Sequence, residues 1–216
     1  MQKLENCIIC NKKFKRILSL GEHPCADTFV NNRKLAKNLK KYPLEVGFCE
    51  CNHLTSINKV SGFERYRKNN YSYTSNNSPV SLTHFKNIAK KIINDLNITS
   101  NSKAIEIGSN DGTFLKYIKD LSKAYVLGID PSDNMCRIAK KKGVKSLNKF
   151  FNYQTSQLIK KNYGKFDFLY GANVFNHVDD LINFLKSIKK VIKHDGLIVL
   201  EVPDLESLIS ESGFDT

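Results

Sequence analysis

No apolar run in this 216-residue chain approaches the roughly 20 residues of a membrane span. The longest, Leu197, Ile198, Val199 and Leu200, has the length of a strand. Residues 1–6 also lack the apolar stretch and small-residue cleavage site of a secretion signal. The expectation is a soluble, cytoplasmic protein with no membrane partner. Arginine is scarce, five residues among 34 Lys and Arg, so the formal charge of +13 rests on lysines spread along the chain. Arginine, rather than lysine, makes the planar bidentate contacts that read bases and phosphates. The charge therefore reads as a solvated lysine-rich surface, and nucleic acid is not the expected partner. Disorder is excluded, because Leu, Ile, Val and Phe are frequent and regularly spaced.

Apolar periodicity divides the chain near residues 75–80. Residues 1–75 mix Cys, Asn, Lys and aromatics with turn formers and show no long periodic segment. Residues 76–216 alternate two periods, predicting helices over 80–96, 113–121, 133–142, 153–161 and 179–192. Between them, strands are predicted over 104–107, 125–129, 144–147, 166–170 and 197–202. A last helix follows Pro203, with Asp204 as its N-cap. Five strands alternating with helices make an α/β domain, an open and mostly parallel sheet covered on both faces.

Six cysteines in a chain with no sign of export favour metal or free thiols over disulfides. Cys7 and Cys10 are separated by two residues, and Cys49 and Cys51, 38 residues later, by one. Two close thiolate pairs brought together by a loop are what tetrahedral Zn2+ requires. Asn52 stands where a regularly spaced fourth cysteine would fall, so the fourth ligand is either Cys51 or His53. Cys25 and Cys136 fit neither pair and read as small hydrophobes.

The strand over 104–107 runs into Glu106, Ile107, Gly108, Ser109, Asn110, Asp111, Gly112 and Thr113, then a helix. The loop is neither Gly-x-Gly-x-x-Gly nor a P-loop. It sits at the carboxyl end of the first strand, where doubly wound sheets bind ligands. The next strand ends at Asp130, a carboxylate able to accept both hydroxyls of a ribose. Glu106 and Asp111 would repel a pyrophosphate and suit a cation. S-adenosylmethionine (SAM), with a sulfonium, an ammonium and no phosphate, meets that description.

The Glu106–Thr113 loop resembles that of the zinc-containing sugar C-methyltransferases, which act on nucleotide-linked ketodeoxysugars such as dTDP-4-keto-6-deoxyhexoses. The segments 20–29, 128–131, 172–178, 201–203 and 214–216 resemble that family too. The resemblance implies a Rossmann-like class I SAM methyltransferase domain behind a small zinc-binding domain. It implies SAM contacts from Gly108, Asn110 and Asp130, with Phe150 and Asn173 lining the pocket. Cys7, Cys10, Cys49 and Cys51 would hold zinc, although the family spaces its second pair by two. Lys149 replaces an acid that the family places before the aromatic pair Phe150 and Phe151.

C-methylation needs a base beside the ketone, a stabilised enolate and in-line attack on the methyl group. The resemblance makes His177 an acid/base or enolate-stabilising group facing the substrate, and one of Tyr71 and Tyr73 an active-site phenol able to bond the sugar oxygen. It also implies a C-terminal substrate domain, opening with a Tyr-His-Glu-His-like segment, beyond the point where this sequence stops. On that reading a second chain would supply the missing part. Two other functions are compatible with the motifs. One is a cofactor-binding remnant or split-enzyme subunit without independent turnover. The other is a zinc-bearing RNA methyltransferase, disfavoured by scarce arginine and by Gly171–Phe175 lacking an Asn/Asp-Pro-Pro-Tyr/Phe motif.

Overall fold

A computed structural model describes residues 2–26, 28–67 and 72–211. It divides into two compact units, Met1–Tyr73 and Thr74–Thr216. In the first, β1 (Gln2–Lys3) pairs antiparallel with β5 (Asn58–Lys59). A second, three-stranded antiparallel sheet joins β2 (Lys15–Pro24), β3 (Lys41–Phe48) and β4 (Leu54–Ser56). Two short helices, α1 (Arg33–Lys37) and α2 (Gly62–Tyr66), begin at the side-chain caps Asn32 and Ser61. The β2–β3 hairpin escaped the sequence reading for a physical reason. Every residue of β2 is exposed, so no inward–outward alternation marks it. The few buried apolar side chains of this unit include Cys7, Tyr42, Cys49 and Ile57.

The second unit opens with α3 (Pro79–Asp95), capped by Ser78 with proline in its first turn. Five parallel strands follow: β6 (Lys103–Ile107), β7 (Tyr125–Asp130), β8 (Ser146–Asn148), β9 (Phe166–Ala172) and β10 (Ile192–Glu201). Helices α4 (Thr113–Ser122), α5 (Asp133–Lys141), α6 (Tyr153–Tyr163) and α7 (Leu181–Val191) connect them, and α8 (Leu205–Ser210) comes last. The backbone N–H of Ser207 donates to the Asp204 carboxylate at 3.1 Å, the expected N-cap. The helix predicted over 179–192 ends sooner. Ile192 already pairs with Phe166, and an irregularity before Leu197 absorbs Asp195 and Gly196 inside β10.

The strand order is β10-β9-β6-β7-β8, so connections leave β6 in opposite directions on its two sides. That switch point opens a crevice at the carboxyl end of β6. Side chains alternate across the sheet. Ala104, Val126, Phe168 and Tyr170 pack with Phe85, Ala89 and Ile92 of α3 and Phe114, Leu115 and Ile118 of α4. Ile105, Ile107, Leu127, Ile129 and Leu169 pack on the other face with Ile159 of α6 and Phe184 and Ile188 of α7. Burial on both faces is why these strands read as apolar runs. Among the described residues no helix is long and apolar enough to cross a membrane.

Candidate metal centre and cofactor loop

Cys7, Cys10, Cys49 and Cys51 converge, with all four Sγ atoms within 4.8 Å of one another. Two of the edges, Cys7–Cys51 and Cys10–Cys49, measure 3.6 and 3.3 Å. A tetrahedral site with Zn–S bonds of about 2.3 Å has sulfur–sulfur edges of about 3.8 Å, so the donor set fits zinc in chemistry and size. Each pair sits in a tight turn. Asn11 follows Cys10 at φ 61°, and Asn52 follows Cys51 at φ 64°. Asn11 N–H donates to the Cys7 carbonyl, and Asn52 N–H to the Cys49 carbonyl. A left-handed Asn thus turns the chain where a second intervening residue is missing, which brings Cys51 into the cluster. His53 lies beside it, its Nδ1 3.2 Å from Cys7 Sγ.

Backbone hydrogen bonding at Lys12 and the Cys49 thiol lower Cys10 to about 7. Desolvation and the neighbouring Cys10 push Cys51 up to about 12. Four thiolates this close repel one another, and a divalent metal removes that repulsion.

The loop after β6 is built with comparable economy of space. Gly108 adopts φ 65°, and a Cβ there would stand 2.3 Å from Val174 Cγ2. Gly112, at φ 75°, starts α4 against Ala139 and Val144. Asn110 also adopts a left-handed conformation, φ 47°. Its N–H donates to Asp130 Oδ2 at 2.9 Å, while Ser132 N–H donates to Asp130 Oδ1 at 2.8 Å. Asn110 Oδ1 accepts from Ser75 N–H at 3.1 Å and from Asp111 N–H at 2.8 Å. Burial raises the Asp130 carboxyl above its usual range, opposed by the two N–H donors.

Asp111 has its partners within the protein. Its side chain is wholly buried and forms an ion pair with Lys142 at 2.8 Å. Its other oxygen accepts from Thr113 N–H and Oγ1 at 3.2 and 2.7 Å. Asp111 therefore ties the loop to the end of α5. Glu106 differs. It is 4% exposed, and its Oε2 is the one buried side-chain polar atom among the described residues without a hydrogen-bond partner. Burial first, then the charges of Asp111 and Asp130, hold its carboxyl well above the usual range. An orphaned buried carboxyl beside a glycine turn suits a ligand carrying positive charge.

Asn173 continues β9 in a left-handed conformation, φ 52°, and donates its N–H to the Glu201 carbonyl. His177 ends a single 3-10 turn, Phe175–His177, exposed, with its ring 3.4 Å from the Asn176 amide. Phe150 is half-buried, and its carbonyl accepts from Thr155 Oγ1. Tyr73 is exposed at the end of the first unit. Tyr71 and the closing Phe214, Asp215 and Thr216 lie outside the described residues. Sequence reasoning missed Lys142 and Ser75, which fix the loop from 31 and 35 residues away. Only the lysine's position after a helix could have hinted at a partner.

Comparison with known proteins places this geometry. Residues 7–65 match the family described as "Putative zinc binding domain". Over its whole length the chain is 24% identical to the C-methyltransferase NovU of Streptomyces niveus, covering 51% of that protein. Over 57% of its length it is 28% identical to a demethylmenaquinone methyltransferase of Staphylococcus saprophyticus, covering 54% of it. The chain thus spans about half the length of these relatives. Among solved structures, PH0226 from Pyrococcus horikoshii superposes with a TM-score of 0.50 at 18% identity, over 65% of this chain and 62% of that one. The plantazolicin methyltransferase BpumL also gives 0.50, at 17% identity, over 65% and 54%. These two likenesses concern the fold. The family model described as "Methyltransferase domain" matches residues 82–215, more than half of the sequence. The chain therefore belongs to the methyltransferase-domain family, with a class I SAM methyltransferase fold behind a four-cysteine zinc-binding segment.

Proposed function

We propose that this chain is a SAM-dependent C-methyltransferase acting on a nucleotide-linked, dTDP-type 4-keto-deoxysugar through an enolate. The observation that carries the cofactor part is Glu106, a buried carboxyl with an unpartnered oxygen at the base of the Gly108–Gly112 turn. The match to a C-methyltransferase across the full sequence supports carbon as the acceptor atom. The sugar rests on the family resemblance of the loop and of the segment around His177.

When bound, SAM supplies an electrophilic methyl group. Gly108 and Gly112 supply the left-handed backbone that shapes the turn beside it. Asp130 accepts the N–H groups of Asn110 and Ser132 and the Ser132 hydroxyl, which fix its carboxylate at the end of β7 where a ribose hydroxyl would meet it. A cationic ligand beside Glu106 would favour its ionised form, which burial opposes in the free protein. Asn110, Phe150 and Asn173 border the ligand. His177 stabilises the enolate oxygen of the acceptor. The zinc segment shapes and stabilises the first unit.

Calorimetry with SAM tests the cofactor, and transfer of labelled methyl to a dTDP-4-keto-6-deoxyhexose tests the acceptor. Binding with methyl transfer to a sugar carbon is expected. No heat and no rise in melting temperature with SAM, from a folded sample, refutes the cofactor. Transfer to an oxygen or nitrogen refutes the carbon acceptor.

A further inference from the structure

His84 occupies the sixth position of α3, outside every motif that pointed to the site. Its Nε2 lies 2.9 Å from Glu201 Oε1 and 3.2 Å from Oε2, across 117 residues of sequence. Glu201 is the last residue of β10, beside Ala172 at the end of β9. From the sheet interior, Tyr170 donates its hydroxyl to Glu201 Oε2 at 2.9 Å. Tyr170 is fully buried, its ring 4.0 Å from that of Phe114. Burial and the Glu201 charge push its phenol far up, so it acts here only as a donor. Three elements thus deliver a His–Glu–Tyr chain to the carboxyl edge of the sheet.

The chemistry of the chain follows from its donors. A carboxylate only accepts, so the ring nitrogen facing it carries the hydrogen. In the neutral ring Nδ1 is then left with a lone pair, and among the described residues it has no hydrogen-bond partner. The imidazole is reachable, with 45% of its side chain exposed. A base whose second nitrogen is held by a carboxylate, itself fixed by a third group, is the arrangement that orients catalytic histidines.

Its position matches that role. In the strand order, β7 with Asp130 lies on one side of β6, and β9 and β10 with Tyr170 and Glu201 on the other. A donor whose ribose sits at Asp130 and spans the loop leaves the β9–β10 side for the acceptor.

We infer that His84 is the general base for the acceptor, with Glu201 and Tyr170 as its positioning residues. This rests on the reading above and deepens it: the acceptor must carry an acidic C–H next to a carbonyl. In the step, the C–H bond breaks and its electron pair moves to the carbonyl oxygen as an enolate. The proton forms an N–H bond at His84 Nδ1, where Glu201 offsets the new charge. The half-exposed ring then passes the proton to water, so the step needs no co-reactant and runs without methyl transfer.

Proton exchange therefore tests it. A dTDP-4-keto-6-deoxyhexose is incubated with the full chain in D2O without SAM, and loss of the proton beside the ketone is followed by NMR. Wild type should accelerate the exchange. His84→Ala should slow it by about 100-fold or more, the usual contribution of a general base. Added imidazole should restore part of the rate, as it would not for a structural contact. Glu201→Gln should slow exchange about tenfold at unchanged half-saturation. Calorimetric affinity for S-adenosylhomocysteine should stay within about twofold in both variants, which reports an intact fold. Wild-type exchange in His84→Ala, or a loss that imidazole does not relieve, overturns the assignment. So does a wild type that binds S-adenosylhomocysteine and accelerates nothing. Exchange that depends on His84 in a protein that binds no S-adenosylhomocysteine overturns the cofactor reading and leaves the base in place.

Discussion

Burial and two neighbouring carboxylates oppose the charge of Glu106 and favour its protonated form in the ligand-free fold. Its folded pKa lies above the unfolded value, so the native state binds the extra proton. Its stabilising contribution is complete below the ordinary carboxylate pKa of about 4.3 and is lost as pH rises through the folded value. Glu106→Gln should therefore melt at a temperature increasingly above wild type as pH rises from 5 to 8. Wild type should also release a proton on binding SAM, and its affinity should climb with pH. Titrations in buffers of different ionisation heat read that proton directly, and Glu106→Gln should not release it. Tyr153 shows the opposite sign. Lys190 donates to its hydroxyl at 2.5 Å and holds the phenol below its ordinary range, helped by Lys160 and Lys186. These residues, with Lys165 and Lys189, line a recess of about 360 Å³. Lys190→Met should move the Tyr153 transition to higher pH in an ultraviolet titration.

The turn joining β6 to α4 tolerates little change. At Gly108 an alanine would meet both a left-handed backbone, costing about 1–2 kcal/mol, and the Val174 methyl. Gly108→Ala should lower stability by at least that amount in denaturant unfolding, and adding Val174→Ala should recover only the steric part. Elements of this unit were legible because both sheet faces are covered, so strands read as apolar runs and helices as 3.6-residue stripes. The turn itself was legible from its glycines and from Asp130. The direction of Asp111 was not, since Lys142 arrives from another helix. His84 was equally hidden, as one polar position among several on α3. In the first unit the cysteine spacing pointed to a metal, whereas the ligand role of Cys51 depends on the left-handed Asn52, which spacing alone cannot show.

At the scale of the whole chain, the first unit has few buried apolar side chains and a four-thiol cluster in their place. Structural zinc contributes roughly 10–16 kcal/mol in small domains, enough to decide whether such a unit folds. Chelation should expose Cys7, Cys10, Cys49 and Cys51 to a thiol reagent and abolish the first unit's melting transition. SAM affinity should change little if the proposed cofactor residues of the second unit carry it. In that unit Asp111 is fastened to Lys142 and Asn110 to Ser75 before any ligand arrives. The seat is thus rigid in advance. Free and occupied turns should superimpose to within about 1 Å, and the pace of capture should follow encounter frequency rather than rearrangement.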